Sequence, residues 1–591
     1  MTALTFTRAA AGELRARVEE ALEGKVAGRP KIMTLHSFAL RNLLRNAKLI
    51  DSIPQPLRIA DDWEERNIIE EDLKAILTKP ITEIRKDFLA LSADWDTLRA
   101  DDATPNPLKA DASFVGAWQQ HRAIYGYTLR AELVYQLKRA LEQRDDLDLQ
   151  GPIEHLLVDE YQDLNACDLS VIARLGAKEA SVYAAGDDDQ SIYGFRHANP
   201  EGIRRFDKEY NPSVDLPLAT CMRCDIDIMD LARFVADLDP ARLRKPWKPR
   251  DEAGTGLVRL LRFDNGDEEA SGIASLCKYL ITDEKFQPDE ILILIRSDKN
   301  GAFSKPLAEQ MRTADVPFSA NVDGTVVLDT PPGRVLLSYL RLAVAENDSL
   351  AWRTLLQVRN NGVGAKALGA IADYARANAV TFVTALKASA EKPGALKREY
   401  DQIRAVLEKV KDTAGEPDQV VGVDGIRTAL ISIAAALAEA GLTGLDDAVA
   451  HVTLMAENAD ADSFTALLSA ISMVGLTPEQ ETTKGAVNML TMHKAKGLTA
   501  RAVIVMACED EYLPGRQQSV EREADERRLF YVSLTRARER LYVTYSQGRF
   551  GPQQHTGRDS GAQRRTLSRY LRNAPVHAVA ASEFFSRLGR Q

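Results

Sequence analysis

Along the chain, hydrophobic and polar positions form the same pattern in two zones. Near 1–36 and 154–218, the apolar runs LTFT, KIMTL, HLLVDE and SVYAAGD are short, end in polar residues and are separated by helix-length segments. Near 256–330 and 486–548, LVRLLRF, ILILIR, AVNMLTM, AVIVMA and LYVTY repeat the arrangement. Short apolar runs alternating with helical patterns predict a parallel α/β sheet, here twice. Between Ser37 and Gly151, and again between about 335 and 480, strand-like runs vanish and Ala/Leu/Glu/Arg-rich helical patterns take over. The expected fold class is α/β: two parallel-sheet domains, each carrying a helical insertion, with no internal repeat.

Composition narrows the class without naming a function. A chain of 591 residues is too long for one hydrophobic core. At 45% apolar and 27% charged it reads as ordinary soluble globular protein. No apolar run reaches the roughly 18 residues of a membrane span, so no membrane partner is expected. The opening MTALTFTRAAAGELRARVEE is Arg- and Ala-rich like a transit peptide, but Glu13, Glu19 and Glu20 and the lack of a cleavage-like segment argue against one. Five scattered cysteines are too few for a disulfide framework, and Cys221-x-x-Cys224 is a lone pair, which argues against zinc. A reducing cytoplasm is the expected compartment. The net charge of -10 speaks against a generic nucleic-acid coat protein. From Gly551 to Gln591, however, seven Arg face only Asp559 and Glu583, which fits a solvated tail and a phosphate-contacting arm equally well.

Candidate chemistry begins where strands end, because open parallel sheets bind ligands beyond the carboxyl ends of their strands. LLVDEYQDLN places Asp159 and Glu160 at such an end. The pair suits a nucleoside triphosphate, with Asp159 holding Mg²⁺ against the phosphates and Glu160 orienting or deprotonating the attacking water. Acidic strand ends are common, so the pair alone is a weak signal. The next strand leads into Gly186-Asp187-Asp188-Asp189-Gln190 and then Tyr193, Phe195 and Arg196. A Gln there can feel a γ-phosphate, and aromatics with an Arg just beyond it can stack on unpaired bases. A turn with core aromatics explains neither the acidic run nor an exposed Arg196. Further on, His493, Lys494 and Lys496 with Gly497 form a basic, glycine-ended turn suited to DNA phosphates.

With these residues in view, the chain resembles the UvrD/Rep/PcrA-like superfamily 1 DNA helicases. DEYQD and GDDDQSIYGFRHA match that family's Walker B motif and its third motif. LTFTRAAAGELRARV and TLHSFA are similar to motifs Ia and Ib, VNMLTMHKAKGL to motif V, and DERRLFYVSLTRARERL to motif VI, with EDEYLPG between the last two. The motifs arrive in the family's order and span nearly the whole chain. The resemblance implies two RecA-like domains, 1–40 with 150–215 (N-terminally incomplete) and 216–335 with 481–550. Helical insertions at 41–149 and 336–480 and a basic tail at 551–591 complete the division. It implies catalytic roles for Glu160, Gln190, Arg223 and Arg536, the last an arginine finger, and nucleotide contacts from Asp159, Met222 and Gly497 besides. For an Arg in RARER the alternative is a solvated face. Thr5, Phe6, Thr7, Thr34, His36, Ser37 and Phe38 would line the single-strand track with Tyr193, Phe195, Arg196 and the 493–496 turn. Gly362-Val363-Gly364 is a weak match to the duplex-contacting domain. Two local departures stand out: Cys221-Met222-Arg223 replaces the family's usual Asn-Tyr-Arg, putting a thioether where an aromatic stacks on adenine, and Thr499 stands where Glu is common.

The family's nucleotide-sensing Gln and G-x-x-x-x-G-K-[ST] loop precede motif Ia, and no such pattern occurs in the 591 residues. Gly24-Lys25-Val26 lacks the upstream glycines, and Gly362 to Ala367 lacks the spacing and the hydroxyl. Such a loop supplies backbone N–H groups, a Lys and a hydroxyl ligand for Mg²⁺. Two expectations compete. In one the reading frame starts late, Met1 to Thr7 being the tail of a continuous strand. In the other the chain is a loop-less paralogue that binds DNA or a partner without turnover. Retention of Asp159, Glu160, Gln190, Arg223 and Arg536 favours the first, and an in-frame stop immediately upstream of Met1 would exclude it. For the polypeptide as written, no DNA-stimulated ATPase activity is expected. The functional expectation is an ATP- and Mg²⁺-dependent single-stranded DNA translocase or helicase, 3′→5′, acting on single-stranded and forked DNA in repair, replication or recombination, as a monomer or DNA-induced dimer. The alternative is a non-hydrolysing DNA-binding or regulatory protein on the same scaffold. A helicase–nuclease is disfavoured, since about 50 residues follow the last motif.

Overall fold

The computed structural model describes the chain except residues 23–29, 103–105, 107, 150, 178–179, 321–326, 415–419, 460, 474–481, 518, 558–560 and 589–591. Gly24-Lys25-Val26 therefore lies outside the described residues. Two compact units emerge: Met1–Leu156 with Ala166–Val182 and Thr325–Thr477, and Leu157–Asn165 with Tyr183–Gly324 and Pro478–Gln591. No described helix is long and apolar enough to cross a membrane.

The first unit opens with β1 (Thr2–Thr5), fully buried, and β2 (Lys31–Thr34), which pair in parallel from Thr2 opposite Lys31 to Thr5 opposite Thr34. β3 (His155–Val158) and β4 (Ser181–Ala184) begin in this unit and end in the second, giving the sheet order β2-β1-β3-β4. Each early strand hands over to a capped helix. The Thr7 hydroxyl accepts from the Ala10 N–H at the start of Arg8–Leu22, and the Thr34 hydroxyl accepts from the Ser37 N–H at the start of Leu35–Arg45. Helices then dominate, as the pattern predicted, including Ile81–Asp96, Ala112–Tyr125 and Leu133–Gln143, and later Pro331–Val344 to Phe464–Ser472.

Within this unit, a buried ionic network joins the two helical stretches. Asp61 caps its helix, accepting from the Glu64 N–H, and also accepts from Arg334 at 2.8 Å and Arg341 at 2.9 Å. Glu64 accepts from Arg58 and Arg341, and Arg58 reaches Asp348 at 2.7 Å. Burial alone would raise the Asp61 pKa, but Arg341, Arg334 and Arg58 outweigh it and hold the carboxyl well below the usual range.

The second unit holds a short parallel pair, β5 (Thr220–Cys221) with β6 (Lys248–Pro249), and a seven-stranded sheet. The sheet's strands are β7 (Leu257–Phe263), β8 (Ile291–Ile295), β9 (Phe318–Ala320), β10 (Val487–Thr491), β11 (Ala500–Val505), β12 (Ala537–Ser546) and β13 (Ala578–Ala580). Their order is β13-β7-β12-β11-β8-β10-β9, and every pairing is parallel. All five residues of β8, ILILI, are buried, the signature of a strand covered on both faces. Gly266–Thr282, capped by Asn265, supplies one cover through Ile273, Leu276 and Leu280. β9 and β13 are three residues each, too short to show a period, and the sequence pattern did not predict them. The segment expected as a basic tail is thus partly built into the sheet: β13 pairs with β7, Arg569 bonds Asp510 at 2.9 Å and Arg565 is buried. Its positive charge is partly neutralised by the fold itself.

Asp61→Ala leaves Arg334 and Arg341 buried without their shared carboxylate. We expect it to cost about 3–5 kcal/mol in denaturant unfolding; a loss near zero would show that the network does not hold these helices together.

Candidate functional site

Beyond β3 the backbone turns sharply. Asp159 accepts the Glu160 N–H at 2.9 Å, and Glu160 adopts a left-handed φ of 54° before the 3₁₀ turn Tyr161–Asp163. Gln162, fully buried, is the hub of this turn. Its amide N–H donates to the Glu160 carboxylate, its Oε1 accepts the Asp187 N–H at 3.1 Å, and its carbonyl accepts the Ser191 hydroxyl at 2.9 Å. The loops after β3 and β4 are thereby fastened together. Gly186 is required there, because a Cβ would lie 2.3 Å from Gln162 Oε1. Sequence reading assigned Gln162 no role; the available signal was a polar residue between two motif residues at a position with no exposed face.

The carboxylates are charged unequally. Burial, then Glu160, raises the Asp159 pKa, and among the described residues Asp159 forms no ion pair. For Glu160, burial pushes upward but Lys496, Gln162 and the nearby Arg536 outweigh it and keep the group ionised. Asp163, completely buried, is pushed up to about 7 by burial, against the pull of Lys496. Lys496 is only 6% exposed: its ammonium bonds the Asp163 carboxylate and, at 2.9 Å, the Gln190 carbonyl, lies 3.3 Å from Glu160, and sits 5.3 Å above the Tyr193 ring. The expectation that Lys496 contacts DNA phosphates is corrected here. A buried ammonium needs partners, and this one has found them in the acidic turn.

Two arginines stand nearby without a carboxylate. The helix Val520–Leu534 ends at Thr535, and Arg536 folds back over that end, donating to the Val532 carbonyl at 2.8 Å, the Leu498 carbonyl at 3.3 Å and the Thr535 hydroxyl at 3.0 Å. It is 1% exposed, not part of a solvated face. Burial and the adjacent Arg223 lower its pKa to about 9. Arg223 donates to the Thr499 hydroxyl at 2.8 Å and the Thr535 carbonyl at 3.4 Å. Thr499, noted only as a missing contact, therefore aims Arg223. Among the described residues neither guanidinium has an ion-pair partner, and both are held by neutral oxygens instead. Met222, 73% exposed, and Gly497, at a φ of 88° that favours glycine, complete the rim.

The acidic run has a structural explanation after all. Lys245 contacts Asp187, Asp188 and Asp189, Arg242 bonds Asp189 at 2.6 Å, and Arg204 bonds Asp188 at 3.0 Å. Gln190 is tied back to Asp187 at 2.8 Å. Tyr193 is buried, and Arg196, expected to be exposed, is half-buried. Phe195, 65% exposed, is the accessible aromatic and stands edge-on to His493 at 5.5 Å, with the half-buried Lys494 next in sequence. In the first unit, Thr5, Thr34 and Phe38 are buried, their hydroxyls or ring serving caps and core, which removes them from the set of exposed contacts. Phe6, Thr7, His36 and Ser37 remain partly exposed just beyond the carboxyl ends of β1 and β2.

Parallel sheets with acidic, basic and arginine groups gathered beyond the strand ends define an α/β class with its candidate ligand site at the strand ends. The comparisons place the chain within it. Residues 1–211 match the UvrD/REP helicase N-terminal domain and residues 222–548 the UvrD-like helicase C-terminal domain. The chain belongs to the UvrD/REP helicase family. The ATP-dependent DNA helicase PcrA of Staphylococcus epidermidis (strain ATCC 12228 / FDA PCI 1200) is 26% identical to it over 579 residues, covering 92% of this chain and 76% of the relative. PcrA of Staphylococcus aureus (strain MRSA252) is 27% identical over 585 residues, 93% and 77% of the two chains.

Burial and the charge of Arg296 lower the His493 pKa to about 3, so the fold keeps this imidazole neutral. The unfolded chain takes up a proton near pH 6.5 and the folded one does not until about 3, so this contribution to stability is complete above 6.5 and lost as pH falls. Between pH 7.5 and 5 the loss should be roughly 1–2 kcal/mol. His493→Gln should flatten that part of the profile, and an unchanged slope would contradict the assignment.

Proposed function

We propose that the protein is an ATP-dependent DNA helicase that moves 3′→5′ along single strands and serves DNA repair, replication or recombination. The reading rests on one observation above the rest: among the described residues Arg223 and Arg536 have no ion-pair partner, beside the Glu160–Lys496–Asp163 cluster at the end of β3. Phosphates of ATP are the polyanion that suits this arrangement, and the relatives are named for ATP-dependent DNA helicase activity. The proposed domains are RecA-like at 1–40 with 150–215 and at 216–335 with 481–550.

In this reading Arg536 and Arg223 bind the γ-phosphate and stabilise charge as the bond to it breaks. Glu160, kept ionised by Lys496, orients the attacking water or takes its proton, and Gln190 senses the phosphate. Asp159 fits Mg²⁺, since its carboxylate is raised by Glu160 and lacks an ion-pair partner among the described residues. When bound, the ion would supply neutralising charge between phosphate oxygens. Phe195, beside His493, is the surface on which bases stack. Both functions share one loop. Arg528 of the helix preceding Arg536 donates to the Ser191 carbonyl at 2.7 Å, Asp525 packs on Gly194, and Lys496 holds the Gln190 carbonyl. A shift of Arg536 toward phosphate would thus be transmitted to the base-stacking loop.

DNA-stimulated hydrolysis is the decisive experiment, measured on the 591-residue chain and on the chain extended by whatever is encoded in frame before Met1. Turnover by either form, with 3′-tailed duplexes unwound before 5′-tailed ones, supports the proposal. DNA binding without turnover by either gives the non-hydrolysing alternative. In a form that hydrolyses ATP, Arg536→Ala should lower turnover by roughly 10³-fold or more. Phe195→Ala should weaken single-strand binding by about 1–3 kcal/mol in a fluorescence titration while sparing DNA-independent nucleotide binding.

A further inference from the structure

Two cysteines flank Arg223 in sequence, and the structure brings them together. Cys221 ends the short strand β5 and is half-buried; Cys224, three residues on, is buried. The Cys224 N–H donates to Cys221 Sγ at 3.4 Å, so the first sulfur already lies against the second residue's backbone. The Cys224 thiol reaches the Thr535 carbonyl at 3.6 Å, the same carbonyl that accepts from Arg223. Arg250 fixes the turn from outside, donating to the carbonyls of Arg223 at 2.8 Å and Cys224 at 3.0 Å. Arg223 is thus bracketed by two thiols, and its own aim depends on Thr499 and Thr535.

We propose that Cys221 and Cys224 form a redox modification site, in which a low-molecular-weight disulfide oxidises the pair to an intramolecular disulfide and displaces Arg223 from Thr499. The Cys221 thiolate attacks one sulfur of the external disulfide, forming a mixed disulfide and releasing one thiolate. Cys224 then loses its proton and attacks the Cys221 sulfur, closing the ring and releasing the second thiolate. Two electrons pass from the dithiol to the external disulfide, which leaves as two thiols. The two cysteines are suited to unequal roles. Hydrogen bonding from Cys224, against the effect of burial and helped by the Arg223 charge, lowers the Cys221 thiol to about 5, whereas Cys224 is raised by its bond to Cys221 and by burial. Cys221 is the attacking sulfur, Cys224 the resolving one. Ring closure takes the Cys224 sulfur off the Thr535 carbonyl and turns the intervening backbone, so Arg223 cannot keep both its bonds. The other cysteines, Cys167, Cys277 and Cys508, are buried and serve as internal controls.

The test incubates the folded chain with oxidised glutathione, blocks free thiols with a maleimide and maps the peptides by mass. The expected product is a peptide joining Cys221 to Cys224 without glutathione, reversed by reductant. Cys224→Ser should stop at glutathione on Cys221, and Cys221→Ser should react at neither position. Two free thiols, or a stable glutathione adduct in the unaltered chain, would overturn the site. The link to Arg223 rests on the nucleotide reading and is measured separately, with a fluorescent ATP analogue. Oxidation should weaken its binding roughly tenfold, the worth of one charge-assisted hydrogen bond, and should leave the Cys221→Ser chain unaffected. A disulfide that forms without altering the affinity overturns the coupling alone; failure of the reduced chain to bind the analogue would instead count against the nucleotide reading.

Discussion

The ammonium of Lys496, buried against Asp163 and Glu160 and bonded to the Gln190 carbonyl, is the interaction on which the candidate site depends. Three carboxylates crowd the end of β3, and Glu160 raises the cost of ionising both Asp159 and Asp163. Without a cation beside it the buried Asp163 could not hold its charge. Lys496 settles the distribution: Glu160 stays ionised, Asp163 shares the buried pair, and Asp159 forms no ion pair among the described residues. That unequal outcome leaves two adjacent acids in different electrostatic surroundings.

The same economy of contacts joins the rest of the site. Gln162 ties the turn after β3 to the loop after β4, and the helix 520–534 holds that loop through Arg528 and Asp525 before ending at Arg536. Arg536 and the exposed Phe195 are therefore attached to one set of bonds. In the first unit the logic is similar, with Asp61 and Glu64 shared among three arginines so that no charge is left alone. Such networks favour one arrangement over others because each member, if displaced, strands another.

Much of the fold was legible from pattern. The nine apolar runs became strands, most plainly where burial on both faces leaves a contiguous apolar string, as in β8. β9 and β13 are not legible because three residues carry no period, and the partial neutralisation of the basic segment is not legible because Asp510, which pairs with Arg569, is remote in sequence. Within the site, Asp159, Glu160, Gln190, Arg223 and Arg536 were identifiable from contiguous strings of residues, though their roles remain proposals. Phe38, Tyr193 and Lys496 show the limit. Their side-chain types suit DNA, but the fold buries them.

The sequence by itself determined the class of protein, the parallel-sheet architecture and the short strings in which its candidate chemistry lies, because those depend on local periodicity and on residues adjacent in the chain. Tertiary structure alone decided how charge is allotted. Lys496 meets Asp163 across 333 positions and Thr499 meets Arg223 across 276. No local pattern reports such pairs. Whether a charged side chain faces a nucleotide, a nucleic acid or another side chain is a question of burial, and burial is set by what packs around it.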